Sequence, residues 1–447
     1  MQKATVFEFS SITPNWSKKN ISFEYTVFFE DGEKLVFNEQ IELPSIPYVL
    51  QHDSEAVVAA LQALHLMIGV SYYKLYCPET ITAPQYKLSA KQAAFWNTLY
   101  TKGLGEFFYQ NKMDFHGLVN FPVHSHPPKI EHGHHKKSGQ SLVLIGGGKD
   151  SLVTGELVKK GGHKITALYS HPIQERSLEI LGISGLKFSR TLDPQLLELN
   201  NLPYTQNGHV PITALLSFLG VLCAVLYGFD NVILSNERSA NYGNVTYLGE
   251  EINHQWSKSL ECEKLMNEYV SNYVCPAVTY FSLLRPFYEI KIVKIFTQFP
   301  QYFPVFASCN RNFKQQNDGS KAWCGECPKC AFVFALLSAY VPKKMLVEIF
   351  GKDLYDDPLL LQTYKELLGT ENIKPFECVG TPQETMYAMH EAYSWGEYAL
   401  TPIMRYFTQE VLPTIKDVEA LQKDVLSYGD DGNIPDEFRK ILKQYAN

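Results

Sequence analysis

Residues 141–153, which read SLVLIGGGKDSLV, constrain the fold of this chain more than any other stretch. The stretch opens with the apolar run LVLI at residues 142–145, which is typical of a parallel strand buried on both faces. Three glycines follow, and then a segment with helical spacing of apolar residues that stops at Gly161 and Gly162. The stretch therefore predicts a strand, a glycine loop and a helix of about three turns.

The glycine loop suits a phosphate group. In a strand–loop–helix layout, backbone N–H groups and the positive end of the helix dipole converge on one point. Glycine is needed there because a Cβ would keep a polyphosphate away from the backbone. The loop is not a Walker A motif, because Asp150 follows Lys149 where that motif has Ser or Thr. It also lacks the third glycine of the dinucleotide-binding motif. An ordinary glycine-rich turn is the alternative, but the flanking strand and helix favour nucleotide binding.

The loop resembles the PP-loop of the ATP pyrophosphatases, whose motif is Ser-Gly-Gly-x-Asp-Ser. Four residues match, and Gly146 stands where the first serine would be. In that family the loop holds the terminal phosphates of ATP while a substrate oxygen attacks the α-phosphate, so that AMP is transferred and pyrophosphate leaves. The resemblance implies a nucleotide site at Gly146, Gly147, Gly148, Lys149, Asp150 and Ser151.

Length and charge narrow the class of protein. A chain of 447 residues is expected to form two or three domains. Its net charge of -7 argues against a general nucleic-acid binder. The N-terminus has no apolar signal core, and no stretch of about 20 apolar residues is expected to span a membrane. The chain is therefore expected to be cytoplasmic, with its nine cysteines reduced.

Residues 1–137 are predicted to form an N-terminal α+β domain. Alternating apolar residues on either side of Asp31 and Gly32 indicate a β-hairpin. Helical patterns follow at residues 55–70 and 90–109. The domain ends in a proline-containing segment with five histidines, which is interpreted as a connector, with a metal site as the alternative: His124, His126, His132, His134 and His135.

Residues 138–308 are predicted to form the ATP-binding domain. Strand patterns at residues 164–169, 186–190 and 231–234 alternate with helical patterns, which indicates an α/β fold with a doubly wound parallel sheet. The carboxyl ends of such strands share one edge, where ligands bind. A glutamate beside an arginine at that edge can support Mg²⁺ and a phosphate oxygen, with an exposed ion pair as the alternative. The polar run after the last strand is Ser235, Asn236, Glu237 and Arg238.

Residues 309–447 are predicted to be a metal-binding and mainly helical C-terminal region. Cys324, Cys327 and Cys330 form two overlapping Cys-x-x-Cys steps, and Cys309 lies upstream. Four thiolates at this spacing indicate a structural Zn²⁺ site, with free thiols or an iron–sulfur cluster as alternatives. The remaining cysteines, Cys378 among them, are expected to pack in the core.

Nine short blocks along the chain carry a more specific resemblance. They are residues 145–151, 207–213, 235–239, 252–258, 280–286, 300–306, 308–311, 323–330 and 374–378. Together they resemble the UDP-N-acetylmuramoyl-L-alanyl-L-glutamate epimerase family, MurL, over roughly residues 90 to 380. The resemblance implies a fold of PP-loop type, similar to the adenine nucleotide alpha hydrolases.

The resemblance also implies a reaction. ATP and Mg²⁺ would serve to adenylate the terminal L-Glu carboxylate of UDP-MurNAc-L-Ala-L-Glu, whose α-carbon is then inverted, with release of AMP and pyrophosphate. In this reading the loop, with Ser235 and Asn236, binds the nucleotide. Asp150 or Glu237 supports Mg²⁺, and Arg238 or Lys149 braces the α-phosphate. His254 and Lys258 are the candidates for proton transfer.

Two other functions stay open from the sequence. One is a nucleobase-type PP-loop enzyme similar to 7-cyano-7-deazaguanine synthase, which also adenylates a carboxylate and carries a four-cysteine zinc site. The greater length of this chain argues against it. The other is a non-catalytic nucleotide-binding protein. The expected partner is a small UDP-linked muramyl dipeptide rather than a nucleic acid or a membrane, and the oligomeric state is not predicted.

Overall fold

The computed structural model of the chain describes residues 3–44, 54–125, 138–311, 322–371 and 373–445. Of the five histidines in the connector, only His124 lies within these ranges. The strands are β1 (Ala4–Asn15), β2 (Asn20–Phe29), β3 (Lys34–Glu42), β4 (Thr80–Thr82), β5 (Gln140–Leu144), β6 (Lys164–Tyr169), β7 (Gly185–Lys187), β8 (Ser189–Thr191), β9 (Asn231–Leu234), β10 (Val245–Tyr247), β11 (Glu250–Ile252) and β12 (Thr279–Ser282). The α-helices are α1 (Glu55–Ile68), α2 (Val70–Tyr73), α3 (Ala90–Gly103), α4 (Gly105–Gln110), α5 (Lys149–Lys160), α6 (Pro172–Leu181), α7 (Pro194–Leu199), α8 (Ile212–Tyr227), α9 (Leu260–Tyr273), α10 (Glu289–Phe296), α11 (Pro328–Ser338), α12 (Lys343–Phe350), α13 (Leu361–Leu367), α14 (Pro382–Ser394), α15 (Pro402–Tyr406), α16 (Val418–Val425) and α17 (Asp436–Lys443).

The N-terminal sheet has the strand order β4-β1-β2-β3-β8. The predicted hairpin around Asp31 and Gly32 is confirmed, since β2 and β3 pair antiparallel on either side of it. Gly32 has a φ of +87°, a conformation that glycine adopts without steric cost. Ser54 caps the N-terminus of helix α1, because its hydroxyl accepts a hydrogen bond from the Val57 N–H, and the apolar face of the helix covers the sheet.

Strand β8 comes from the middle of the chain and forms the outer edge of this N-terminal sheet. It pairs antiparallel with β3, with Ile41 opposite Arg190. The Arg190 guanidinium donates to the fully buried Glu39 carboxylate, with an Nε–Oε1 distance of 2.5 Å. Just beyond the strand, the Asp193 carboxylate accepts the Asn38 N–H at 2.7 Å. A segment from the predicted second domain therefore completes the sheet of the first.

A second sheet of five strands, in the order β12-β9-β5-β6-β7, is parallel throughout. Leu142 and Val232 point into the core shared with α8 and the N-terminal sheet, whereas Val143 and Ile233 point into the core shared with the C-terminal helices. This alternation follows from the two-residue period of a strand and buries both faces, as predicted for an α/β protein.

Two details of the predicted sheet were wrong. The predicted strand at residues 186–190 is two strands separated by Phe188: β7 joins the parallel sheet, and β8 joins the N-terminal one. Strand β12 was not predicted, although it forms an edge of the parallel sheet. Helices α11–α17 confirm the helical character of the C-terminal region.

One apolar helical stretch departs from the sequence expectation. Residues Glu55–Tyr73, which cover α1 and α2, are long and apolar enough for a membrane span by length and composition. However, 78% of the most apolar window is buried inside the protein. A core helix meets the same criteria, so this stretch is weak evidence for a membrane span.

Candidate active site

The glycine loop joins the carboxyl end of β5 to the first turn of α5. Gly147 has a φ of +80°, and its carbonyl accepts the Ala307 N–H at 3.0 Å. Gly148 precedes the helix, and a Cβ built on it would lie only 3.3 Å from the Cβ of Ser308. A Cβ on Gly146 would meet no atom of the described residues within 4 Å. The backbone is thus held close to residues 307–308 on one side and is open on the other.

A cavity of about 380 Å³ lies on the open side of the loop. Its volume falls within the range of roughly 300–1,000 Å³ that is typical of small-molecule sites. Eight of the residues predicted to form the site line it: Gly146, Gly148, Asp150, Ser151, Ser235, Asn236, Glu237 and Lys258. The parallel topology therefore brings the loop after β5 and the segment after β9 to one edge of the sheet, as expected.

Several polar groups on the cavity wall lack partners. The hydroxyl oxygens of Ser235 and Ser308 are buried and form no hydrogen bond with the described residues. Glu237 is only 3% exposed, and its carboxylate forms no hydrogen bond or ion pair within the described part of the chain. Burial raises the pKa of Glu237, and the negative charges of Glu289 and Asp150 add to this effect against the opposing charge of Lys258. Buried polar groups without partners indicate a place for a polar ligand.

Lys149 lies beneath the loop rather than in the cavity. Its side chain is 1% exposed, and its Nζ pairs with Glu289 at 2.5 Å and with Asp150 at 2.7 Å. Both carboxylates hold the Lys149 ammonium inside the protein, so the structure does not place it at the cavity, and its expected role at the α-phosphate stays a prediction.

Glu289 links the loop to a lysine that the sequence analysis did not single out. Its carboxylate also pairs with Lys329 at 3.3 Å, and Lys329 lines the cavity. Burial opposes ionisation of Glu289, but Lys149 and Lys329 outweigh it and hold the pKa of the carboxyl below its usual value.

Arg238 points away from the cavity. Its guanidinium lies 4.3 Å from the ring centre of Tyr288 and donates to the Ser427 hydroxyl at 2.9 Å. The preceding residue, Glu237, is extended, with φ −104° and ψ 168°, so that adjacent side chains leave the backbone in opposite directions. The structure therefore does not place Arg238 at the cavity, and its expected role at the α-phosphate stays a prediction.

His254 lies one layer behind the cavity wall. Its Nδ1 contacts the Glu106 carboxylate at 2.5 Å, and its Nε2 lies 3.9 Å from the sulfur of Cys378. Burial lowers the pKa of His254, but the hydrogen bonds with Cys378 and Glu106 outweigh it and raise the pKa to about 9. The imidazole is therefore expected to be protonated at neutral pH.

Cys378 is a cavity residue, and its expected place in the core is wrong. Burial raises the pKa of the thiol, but Lys258, His254 and Lys329 outweigh this effect and lower it to about 5. The sequence contained one signal for this position, since Cys378 ends a block that resembles the epimerase family in a segment without helical periodicity.

The four predicted metal ligands lie together. The sulfurs of Cys309, Cys324, Cys327 and Cys330 are within 4.8 Å of one another. Three of the sulfur–sulfur distances are 3.5, 3.7 and 3.9 Å. Tetrahedral zinc with Zn–S bonds of about 2.3 Å requires sulfurs about 3.8 Å apart, so the cluster fits this ion. Lys329 stands between two of these cysteines, which ties the cluster to the cavity wall.

A larger cavity, of about 890 Å³, lies between α3 and the β10–β11 hairpin. None of the residues assigned to nucleotide binding, metal binding or proton transfer lines it, although Asn253 and Trp256 from the block at residues 252–258 do. The Lys102–Glu261 ion pair, at 2.6 Å, is also part of its lining. The smaller cavity at the glycine loop is therefore the candidate active site.

These features define an α/β protein with a cavity at the carboxyl edge of a parallel sheet, beside a glycine loop that opens a helix. The chain matches the family model of the MurL N-terminal domain over residues 1–283 and that of the MurL C-terminal domain over residues 305–422. It belongs to the MurL family.

Three relatives carry the name UDP-N-acetyl-alpha-D-muramoyl-L-alanyl-L-glutamate epimerase. The protein from Xanthomonas oryzae pv. oryzae is 38% identical over 406 residues, which cover 89% of this chain and 88% of the relative. The protein from Micromonospora sp. is 36% identical over 453 residues, 99% of both chains. The protein from Salinispora tropica is 35% identical over 395 residues, 87% of this chain and 85% of the relative.

Proposed function

We propose that this chain is an ATP- and Mg²⁺-dependent epimerase that converts the terminal L-Glu of UDP-MurNAc-L-Ala-L-Glu to D-Glu. The names of the three relatives support the reaction and its place in the synthesis of peptidoglycan precursors. One observation supports the use of a nucleotide: the glycine loop and the buried Glu237 carboxylate, which forms no hydrogen bond with the described residues, line the same cavity.

The chemistry explains why such an epimerase would need ATP. The α-hydrogen of a carboxylate is barely acidic, because its removal places a second negative charge beside the first. In the proposed reaction, a substrate carboxylate oxygen bonds to the α-phosphorus, and the bond from that phosphorus to pyrophosphate breaks. The resulting acyl phosphate has lost the carboxylate charge, so an enolate becomes accessible. One group removes the α-proton, a second returns a proton on the opposite face, and water then releases AMP.

The cavity residues suit a nucleotide and a divalent cation. The backbone N–H groups of the loop and the first turn of α5 would hold the β- and γ-phosphates. The open space beside Gly146 and the unpartnered hydroxyls of Ser235 and Ser308 fit such a ligand. Asp150 and Glu237 offer carboxylate oxygens, the ligand type that Mg²⁺ prefers. When bound, this ion would offset phosphate charge.

Two lysines replace the cations that the sequence analysis assigned to the α-phosphate. Lys258 and Lys329 both line the cavity, whereas Lys149 and Arg238 do not. Their ammonium groups would stabilise the negative charge that grows on the phosphate as pyrophosphate leaves. Lys258 and His254 remain candidates for proton transfer. His254 does not line the cavity, so it would act through Cys378, which lies between its ring and the cavity.

The proposal includes the fold class and the domain layout. In this layout residues 138–308 form the ATP-binding domain of PP-loop type, residues 1–137 an α+β domain whose sheet is completed by residues 189–191, and residues 309–447 the C-terminal region. The strand–loop–helix unit from β5 to α5 supports the PP-loop assignment. In this layout zinc in the four-cysteine site is structural, because four thiolates leave no open position on the ion.

One incubation tests the proposal. The purified chain receives ATP, Mg²⁺ and UDP-MurNAc-L-Ala-L-Glu, and AMP and the configuration of the glutamate are measured by chromatography. We expect AMP and D-Glu together, and neither when ATP is omitted. Inversion without ATP would contradict the adenylation route. Nucleotide binding with no AMP for any carboxylate tested would instead leave a non-catalytic nucleotide-binding protein.

A further inference from the structure

We propose that Cys378 exchanges the α-proton on one face of the activated substrate. This inference rests on the proposed function, because it assigns one of the two proton-transfer groups of that reaction. Among the cysteines in the described part of the chain, Cys378 is the one that lines the cavity at the glycine loop.

The backbone on both sides of Cys378 is fixed by buried side-chain amides. Asn244 Nδ2 donates to the carbonyl of Pro375 at 2.8 Å, and Gln255 Nε2 donates to the carbonyl of Val379 at 2.9 Å. The Asn244 Oδ1 in turn accepts a hydrogen bond from the backbone N–H of His254 at 2.8 Å. These hydrogen bonds fix the position of the Cys378 thiol relative to the His254 imidazole. A proton-transfer group requires such a fixed position.

Charged groups from several elements face the thiol. His254 lies 3.9 Å from the sulfur, with Glu106 behind the ring at 2.5 Å. Lys258 and Lys329 add positive charge from the cavity wall. In the segment that carries Cys378, the positive charge of Lys374 and the negative charge of Glu377 act on the thiol with opposite effects. The balance favours a thiolate at neutral pH, which is the form that can accept a proton.

The cavity also contains an independent sign of a ligand. The Glu237 side chain is only 3% exposed, and within the described part of the chain its carboxylate forms no hydrogen bond or ion pair, although the positive charge of Lys258 acts on it. A nucleotide bound beside it would bring negative charge toward Lys258 and Lys329 and partly neutralise them. The affinity of Cys378 for a proton would then rise as the substrate is activated, which suits a base.

The proton transfer is balanced. The thiolate takes the α-proton, the electron pair of the C–H bond moves into the enolate of the acyl phosphate, and a second acid protonates the opposite face. Cys378 is left as a thiol and the second group as its conjugate base. Proton exchange with solvent, through His254 and Glu106 on the Cys378 side, restores both.

Cys378→Ala tests the assignment, with Cys275→Ala as the matched control. Cys275 is 3% exposed and does not line the cavity. Each protein is incubated in D₂O with ATP, Mg²⁺ and either the L-Glu or the D-Glu substrate. AMP, inversion and α-deuterium are then measured by mass spectrometry and chiral analysis.

We expect Cys378→Ala to form AMP but to invert at least about a hundredfold more slowly, the size of a general acid–base contribution. One substrate epimer should still take up α-deuterium and the other should not, a signature that a merely structural role would not produce. The control should behave as the wild type.

Each other outcome overturns the assignment. Inversion by Cys378→Ala within threefold of the wild type, or equal loss of exchange from both epimers, refutes the role of Cys378 alone. Wild-type protein that forms neither AMP nor D-Glu refutes the proposed function, and this inference with it.

If Cys378→Ala does not fold, a measurement on the wild-type protein still tests the role of Cys378. Iodoacetamide is added to the wild-type protein at pH 6, and labelled peptides are quantified by mass spectrometry. A thiolate is the reactive form, so we expect Cys378 to react at least about tenfold faster than Cys275, with inversion lost in step. Equal rates, or full inversion after complete labelling of Cys378, would overturn the inference.

Discussion

Replacing Glu289 by Gln should destabilise the protein strongly, because Glu289 neutralises two buried cations. Its side chain is 1% exposed and pairs with Lys149 at 2.5 Å and with Lys329 at 3.3 Å. Removing one partner of a buried ion pair costs about 3–5 kcal/mol. We expect about 3 kcal/mol, the lower end, because the amide keeps an acceptor oxygen and Lys149 keeps Asp150 at 2.7 Å.

The effect of Glu289→Gln should also depend on pH in a defined direction. The folded protein holds the pKa of Glu289 below its usual value. The stability from this group is therefore fully present above the unfolded pKa of about 4.3, and it is lost as the pH falls from there through the folded pKa. The difference between wild type and variant should stay constant from neutral pH to about pH 5.5 and shrink below that.

Urea denaturation followed by tryptophan fluorescence measures both effects. Glu175→Gln is the matched control, because Glu175 forms a single ion pair with Lys187 at 2.8 Å and both side chains are more than 40% exposed. Such a surface pair contributes at most about 1 kcal/mol. A loss of stability for Glu289→Gln no larger than that for Glu175→Gln at pH 7 would show that the buried ion pairs of Glu289 do not stabilise the protein.

Four further outcomes are expected. Gly146→Ala should leave the free energy of unfolding unchanged but raise the KM for ATP at least about tenfold, because the added Cβ meets no atom of the described residues and enters the cavity; an unchanged KM would place the nucleotide elsewhere. Asp150→Asn should abolish AMP formation without altering the circular dichroism spectrum, and turnover near the wild-type rate would contradict its role at Mg²⁺. Cys327→Ser should lower the zinc content of about one ion per chain, measured by atomic emission, and lower the melting temperature; metal-free wild-type protein would remove this site. His254→Gln should raise the pKa of Cys378, seen as an upward shift in the pH midpoint of alkylation, because a neighbouring cation is lost; an unchanged midpoint would exclude the contact.

Patterns of apolar residues and glycines over short stretches of sequence correctly predicted the elements whose structure depends on residues nearby in the chain. The apolar runs at residues 164–169 and 231–234 coincide with β6 and β9, and the glycine loop lies between a strand and a helix as expected. The prediction of one strand at residues 186–190 was wrong, because the sheet that a strand joins depends on partner strands that are distant in the sequence. Lys187 pairs with Tyr169, whereas Arg190 pairs with Ile41. No local pattern encodes that division.

The candidate site shows the same limit. Glu237 and Arg238 are adjacent and equally polar, so the sequence could not separate the cavity residue from its neighbour, which an extended backbone turns the other way. Cys378 resembles a small apolar core residue in isolation. Its position becomes informative only when the fold brings it to 3.9 Å from His254, 124 residues earlier in the chain.

The edge strand that residues 189–191 add beside β3 has a consequence for how this protein can be divided. Cutting the chain before β5 would strip the first sheet of its border and leave the fully buried Glu39 without Arg190. We therefore expect the two sheets to fold together as one unit. This agrees with a first family model that runs through both sheets to residue 283.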